Sequence, residues 1–265
     1  MDIITTAVYF GIAVAIVMFL FNMFHCILAG IFGVRIEAFS LLLGLGEKYT
    51  LNFKRNHTVY KLGWLPAGGY VKIAGMVDES LDDNQPMEIK EYMLLSKPPI
   101  VRFICTAGAP LLLLIPFIIG AFAIDPNGGL NEGFQVLNDV VYNIYQHIAG
   151  VIDIAQAETN WNTITNNKQV FPIILCLVSL FTAVTSTIMI LVASISMKIG
   201  KLMILLNAIF YIVYLYFIYK MGSFYFSLTG FSDGFVNLFK YAITVYLLSL
   251  IVLLIIKVLP KNKYF

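Results

Sequence analysis

The chain has 265 residues, of which 60% are apolar and 12% charged, with a mean hydropathy of +0.86 and a formal net charge of +2. Soluble domains carry about 25% charged residues, and no water-soluble fold of this size hides so much apolar surface. The composition excludes an ordinary soluble enzyme, a disordered chain and a nucleic-acid module, and it makes lipid the solvent for most of the polypeptide.

A helix rising 1.5 Å per residue needs about 20 apolar residues to cross a ~30 Å hydrocarbon core. Five stretches meet that length, roughly residues 3–34, 100–124, 170–197, 202–219 and 236–258. The first is too long for a signal-peptide core and lacks a basic start and a small-residue cleavage site, so it reads as a retained span. Residues 35–75 do not read as a helix. Alternation with β-formers, as in Tyr49-Thr50-Leu51-Asn52-Phe53, is broken by Asn56-His57 and by Pro66-Ala67-Gly68-Gly69. Two to four short strands are expected there. Residues 76–99 form an acidic, solvated linker. Residues 125–169 form a loop whose Val136, Val140, Val141, Ile144 and Ile148 follow helical spacing, either as part of a small folded cap or as a helix on the membrane interface. The third and fourth spans are separated only by Lys198-Ile199-Gly200-Lys201, a tight hairpin. The Tyr- and Phe-rich stretch from Phe210 to Phe226 reads as an interfacial aromatic belt. The fold expected is mainly α: a polytopic membrane protein with about five spans and a small membrane-associated β-loop between the first two.

Lys and Arg set orientation. Arg35, Lys48, Lys54, Arg55, Lys61, Lys72, Lys90, Lys97 and Arg102 crowd the loop after the first span, whereas residues 125–168 hold one cation, Lys168, among five acids. The amino terminus is expected outside the cytoplasm and the carboxyl terminus inside. Cys26, Cys105 and Cys176 lie in apolar runs and read as packing residues.

Several segments carry a family resemblance. Gly33-Val34-Arg35-Ile36-Glu37-Ala38-Phe39-Ser40 resembles the stretch after the first span of site-2 proteases, the intramembrane zinc metalloproteases. Leu65-Pro66-Ala67-Gly68-Gly69-Tyr70-Val71-Lys72-Ile73-Ala74-Gly75 is similar to that family's "PLGGYVKMAG" motif. Arg102-Phe103 with Ala107-Gly108-Ala109-Pro110 resembles the start of its second span. Gly150-Val151-Ile152-Asp153-Ile154-Ala155 and Leu175-Cys176-Leu177-Val178-Ser179 resemble the approach to, and start of, its third. The order is the family's own. The family's bacterial sigma-regulating branch carries PDZ domains between the second and third spans, and the gap here is too short for one.

The resemblance also shows what has changed. The family binds zinc through a His-Glu-x-x-His turn on its first span, with the Glu as general base, and through an Asp on its third. Counted back from Gly33, that turn falls on Phe21-Asn22-Met23-Phe24-His25. Phe21 replaces the first histidine, Asn22 replaces the base, and His25 alone persists. Counted forward, the third-span Asp falls on Ser194, and residues 170–197 contain no Asp, Glu or His. An amide is no base near neutral pH, and one imidazole does not make a three-ligand site.

The expectation is a degenerate member with no catalytic residue, no metal and no cofactor. It would act as scaffold, adaptor or subunit of a hetero-oligomeric bacterial inner-membrane complex, and would bind another integral membrane protein or transmembrane peptide. The β-loop residues expected to hold that client are Arg35, Glu37, Phe39, Gly68, Gly69, Tyr70 and Lys72, because a strand edge binds extended peptide without a metal. Thr182, Ser186 and Ser194 would give the third span a polar face. The alternatives are an active metalloprotease with atypical ligands and a component of a transport or channel complex.

Overall fold

The computed structural model describes residues 3–42, 51–65, 68–75, 91–196 and 231–258, with isolated helical positions between 209 and 220. Most of the expected linker and most of the expected span at 202–219, with the hairpin before it, lie outside the described residues. Four described helices are long and apolar enough to cross a membrane: Ala7–Ile31, Pro99–Ile124, Val170–Ile188 and Ser232–Val258. The chain is a multi-pass membrane protein, mainly helical, with a four-stranded sheet between its first two spans.

Two compact units are present, one built from Val14–Leu113 with Ala242–Phe265, the other from Met1–Ala13 with Leu114–Tyr241. The first unit holds most of helix α1 (Ile3–Ile31), strands β1 (Ile36–Ser40), β2 (Leu51–Arg55), β3 (Thr58–Leu62) and β4 (Tyr70–Ile73), and helix α2 (Pro99–Leu112). Strand order is β2-β3-β1-β4. Asn56, at φ 53°, turns β2 into β3, a conformation that Asn tolerates better than most residues. β1 is the inner strand, parallel to β3 (Ala38 beside Val59) and antiparallel to β4 (Ser40 beside Tyr70). Its side chains Ile36, Ala38, Phe39 and Ser40 are buried accordingly.

α2 starts on Pro98-Pro99, where a missing N–H costs nothing because the first turn has no acceptor for it. The second span, expected over 100–124, runs over Pro99–Ile124. It is broken at Leu113, between α2 and α3 (Leu114–Ile124). Pro116 has no N–H to give the Leu112 carbonyl four residues back, so the ladder stops there. The last span also starts earlier than expected, as α7 (Phe231–Val258). Arg55 of β2 donates to the Ile256 carbonyl in the last turn of α7, one of the acceptors a helix end leaves open.

The second unit holds α3, α4 (Gly129–Ile148), α5 (Ile154–Ile164) and α6 (Val170–Ser196), with the first turns of α1 and α7. The expected helix near 136–149 is a longer one, and α5 was not expected at all. Asp153 caps α5 by accepting from the Gln156 N–H at 2.8 Å. Asn143, buried on α4, donates to the Ala157 carbonyl at 2.9 Å and receives the Asn160 amide at 3.1 Å, which fixes α5 on α4. Ala121, Ile124, Val136, Leu137, Val140, Ile173 and Cys176 form one apolar cluster between α3, α4 and α6. Between helices in lipid, close approach of small residues substitutes for the hydrophobic effect. Gly120 meets Cys176 in this way, and all three cysteines are free and buried.

Lys168 ties the ends together, with Nζ 2.6 Å from Asp125 and 3.0 Å from Glu132. The Lys168 ammonium and the Gly128 and Asn127 amides hold the Asp125 carboxyl below its ordinary value of 3.8, while Asp125 and Glu132 hold Lys168 above 10.5. A lowered acid contributes stability above its unfolded value and loses it as pH falls through the folded one; a raised base does the reverse on the alkaline side. The pair should therefore leave melting temperature flat between about pH 5 and 9. Melting temperature should fall on acidification below about pH 4. Lys168→Met should remove most of that acid dependence, as read by thermal melts in detergent across pH.

Candidate functional site

Helix α1 ends at Ile31 and the chain enters β1 five residues later, so the last turns of α1 lie beside the sheet. Asn22 is 1% exposed. Its Nδ2 donates to the Ser40 carbonyl at the end of β1, 3.1 Å away. Ser40 in turn donates its hydroxyl to the Leu42 carbonyl at 2.6 Å. The Asn22 side chain is thus a donor tying a span to a strand.

Gly69 explains why the Gly-Gly-Tyr-Val-Lys stretch needs its second glycine. A Cβ there would stand 2.3 Å from the Ser40 carbonyl oxygen, 2.7 Å from that of Leu41 and 2.8 Å from Asn22 Nδ2. Two of those three atoms are backbone and cannot move aside. Gly69→Ala is expected to cost at least about 2 kcal/mol, more than an ordinary overpacking change in an open site. Limited proteolysis of residues 41–75 in detergent would then run faster, and an unchanged rate would show that the approach is looser than drawn.

His25 is buried on the same helix. Its Nδ1 lies 3.1 Å from the Phe21 carbonyl. A carbonyl only accepts, so Nδ1 carries a proton. The Thr106 backbone of α2 also lies beside the ring. Pro110 lies four residues after Thr106 and has no N–H for that carbonyl. His25 thus stands beside an acceptor that the proline in α2 leaves open. The Phe21 ring packs edge-on to it, with centroids 4.6 Å apart.

This donor set does not fit a zinc ion. Phe21 offers only carbon, Asn22 presents an amide N–H to Ser40, and His25 Nδ1 is engaged by the Phe21 carbonyl. Among the described residues no three His, Cys, Asp or Glu side chains converge. If His25 serves the Thr106 carbonyl, His25→Ala should destabilise the protein by about 1–3 kcal/mol. Pro110→Ala, which restores the helical N–H, should recover a good part of that loss. A double-mutant cycle in detergent melts would measure the coupling.

The other expected site residues divide between the two units. Glu37 and Lys72 pair across β1 and β4 at 3.1 Å, half-exposed, a surface contact of small worth. Arg35 stands over the Tyr92 ring at 5.2 Å. Phe39 is buried, its ring centroid 5.8 Å from that of Tyr60. Tyr60 itself is held above its ordinary value, chiefly by burial. Tyr70 is exposed on β4, and Gly68 precedes that strand. β2 and β4 are the sheet's two edges. Thr182 and Ser186 are half-buried on α6, and Ser194 lies in the helical backbone of its last turn. Neighbouring hydroxyls are turned to their own helix: Thr185 donates to the Phe181 carbonyl and Thr187 to that of Ala183, each at 2.7 Å. The tie from Asn22 to Ser40 and the role of His25 beside Pro110 were not visible in the sequence. The proline inside the span was the signal for the second.

Comparison with known proteins agrees with this layout. The sequence pattern of peptidase family M50 matches residues 9–249. Relatives include proteins named "Putative zinc metalloprotease" in three bacteria. The one from Thermotoga maritima is 28% identical over 156 residues, which is 54% of this chain and 30% of that protein. The one from Helicobacter pylori is 34% identical over 95 residues, 36% of this chain and 26% of that protein. The one from Chlamydia trachomatis is 28% identical over 145 residues, 51% of this chain and 23% of that protein. The matched stretches thus span less than a third of these relatives. With most of its length matched by the family pattern and the β-loop seated against the first span, the chain belongs to peptidase family M50, the site-2 proteases.

Proposed function

We propose that this chain is a non-catalytic member of the family that holds another membrane polypeptide at its β-loop. The observation that carries the reading is the hydrogen bond from Asn22 to Ser40. At the position where the chemistry needs a base, this chain has a buried amide whose proton-bearing nitrogen is committed to structure. Phe21 and the acid-free third span remove two more donors. The sheet that would bind an extended segment is formed, with β4 presenting Tyr70 at an edge. Main-chain pairing to such an edge needs no metal. The partner in this reading is an integral membrane protein or transmembrane peptide in a hetero-oligomeric complex. In this reading the β-loop lies on the cytoplasmic side of a bacterial inner membrane with the amino terminus outside, an orientation that the excess of Lys and Arg after the first span supports.

The relatives' names favour a second reading, a working metalloprotease with other ligands, and one experiment separates the two. A photo-crosslinking amino acid in place of Tyr70, activated in native membranes, should trap one intact polypeptide. The adduct should weaken when β4 is disrupted by Val71→Pro. Cleaved fragments in the adduct, lost on treatment with a zinc chelator, would support the protease instead. No adduct at Tyr70 would remove the client-binding role.

A further inference from the structure

We infer that α4 lies in the membrane interface, with one stripe of its surface sunk among lipid headgroups and upper acyl chains. Leu130, Phe134, Val141 and Tyr145 follow one another at spacings of four, seven and four residues, so they share a face of the helix. They are 36%, 40%, 45% and 63% exposed. A different face of α4, with Gly133, Val136 and Val140, is already buried against α3 and α6. The exposed stripe is therefore a second apolar surface, not the helix's core side.

The contacts with α3 say what covers it. A Cβ on Gly133 would stand 1.9 Å from the Ala121 carbonyl oxygen, so the helices touch backbone to backbone there. The next residue, Phe134, meets Phe117, with ring centroids 6.0 Å apart. Phe117 lies seven residues inside the end of the span at Ile124, about 10 Å deeper at 1.5 Å per residue. The stripe thus begins on the side of α4 that faces into the bilayer. α3 presents exposed apolar side chains of its own at Ile118, Ile119 and Phe122. The opposite side carries Gln135 and Asp139, both exposed. α4 contains no Lys or Arg, so attachment rests on apolar area and needs no anionic lipid. A helix held in this way fixes the outer ends of α3 and α6 at the depth of the membrane surface.

The test uses the full chain in phosphatidylcholine vesicles. An environment-sensitive dye is placed at Phe134→Cys or Tyr145→Cys, and, for comparison, at Gln135→Cys or Asp139→Cys. The native cysteines described above are buried, and Val141→Cys serves as a smaller change should either aromatic variant fail to fold. Lipids with a nitroxide near the headgroup should quench the dye at 134, 141 and 145 at least about threefold more than at 135 and 139, with aqueous iodide giving the reverse order. Adding phosphatidylglycerol should leave the pattern unchanged. Equal iodide access at all positions would overturn the inference. So would protection of 134 and 145 from both quenchers, which would mean that polypeptide covers the stripe.

Discussion

Asn22→Leu is expected to lower stability by about 2–3 kcal/mol, because it removes the donor to Ser40 and leaves that carbonyl buried without it. The helix alone gives no reason for such a cost, since Leu is a better helix former than Asn and more soluble in lipid. On sequence grounds the substitution improves the span; the strand beside it reverses the sign. Asn22→Glu, which would return a base under the reading proposed above, should be worse still. It sets a longer carboxyl group at a position 1% exposed, where it must either carry an unpaired buried charge or take up a proton against its ordinary pKa. Melting temperature of the purified protein in detergent reads both effects. If Asn22→Glu is as stable as the native chain, the tie to Ser40 is not the side chain's purpose.

Gly133→Val should have an effect at least as large in the second unit. The Ala121 carbonyl occupies the space of the new Cβ, and the carbonyl carbon behind it is 2.8 Å away. Glycine inside a helix costs about 1 kcal/mol relative to alanine. At this position that preference is outweighed, because α4 must separate from α3 to admit any side chain. A loss of about 3 kcal/mol or more is expected from overpacking against backbone. The damage should be local, because Gly133 lies in the unit that holds α4 and α5, not in the one that holds the sheet. Hydrogen exchange should rise across residues 129–164 and stay unchanged across β1, β3 and β4.

How much of this was legible without coordinates depended on the range of the interaction. The described spans announced themselves because bilayer thickness translates directly into run length. The β-loop announced itself through alternation, through Asn56 and Gly68, where backbone conformation restricts the residue type, and through Gly69, where close packing does. The break at Leu113 was signalled by Pro110 and Pro116, and was missed because hydropathy is blind to a missing N–H. α5 was missed for the opposite reason: its polar composition conceals a helix whose stability comes from Asn143 and the Asp153 cap. Counting from Gly33 singled out Phe21, Asn22 and His25, but the contacts these side chains make could not be read that way. Ser40 and Thr106 are 18 and 81 residues from the side chains that meet them, and only the folded chain brings them together.

The central claim is that Asn22 and His25 now serve the fold and hold no metal. The direct measurement is zinc content of the full chain, purified without chelator and after incubation with excess zinc, by elemental mass spectrometry. The account predicts well under about 0.1 zinc per chain, unchanged in His25→Ala, since a single imidazole does not retain the ion. About one zinc per chain, lost in His25→Ala, would contradict it.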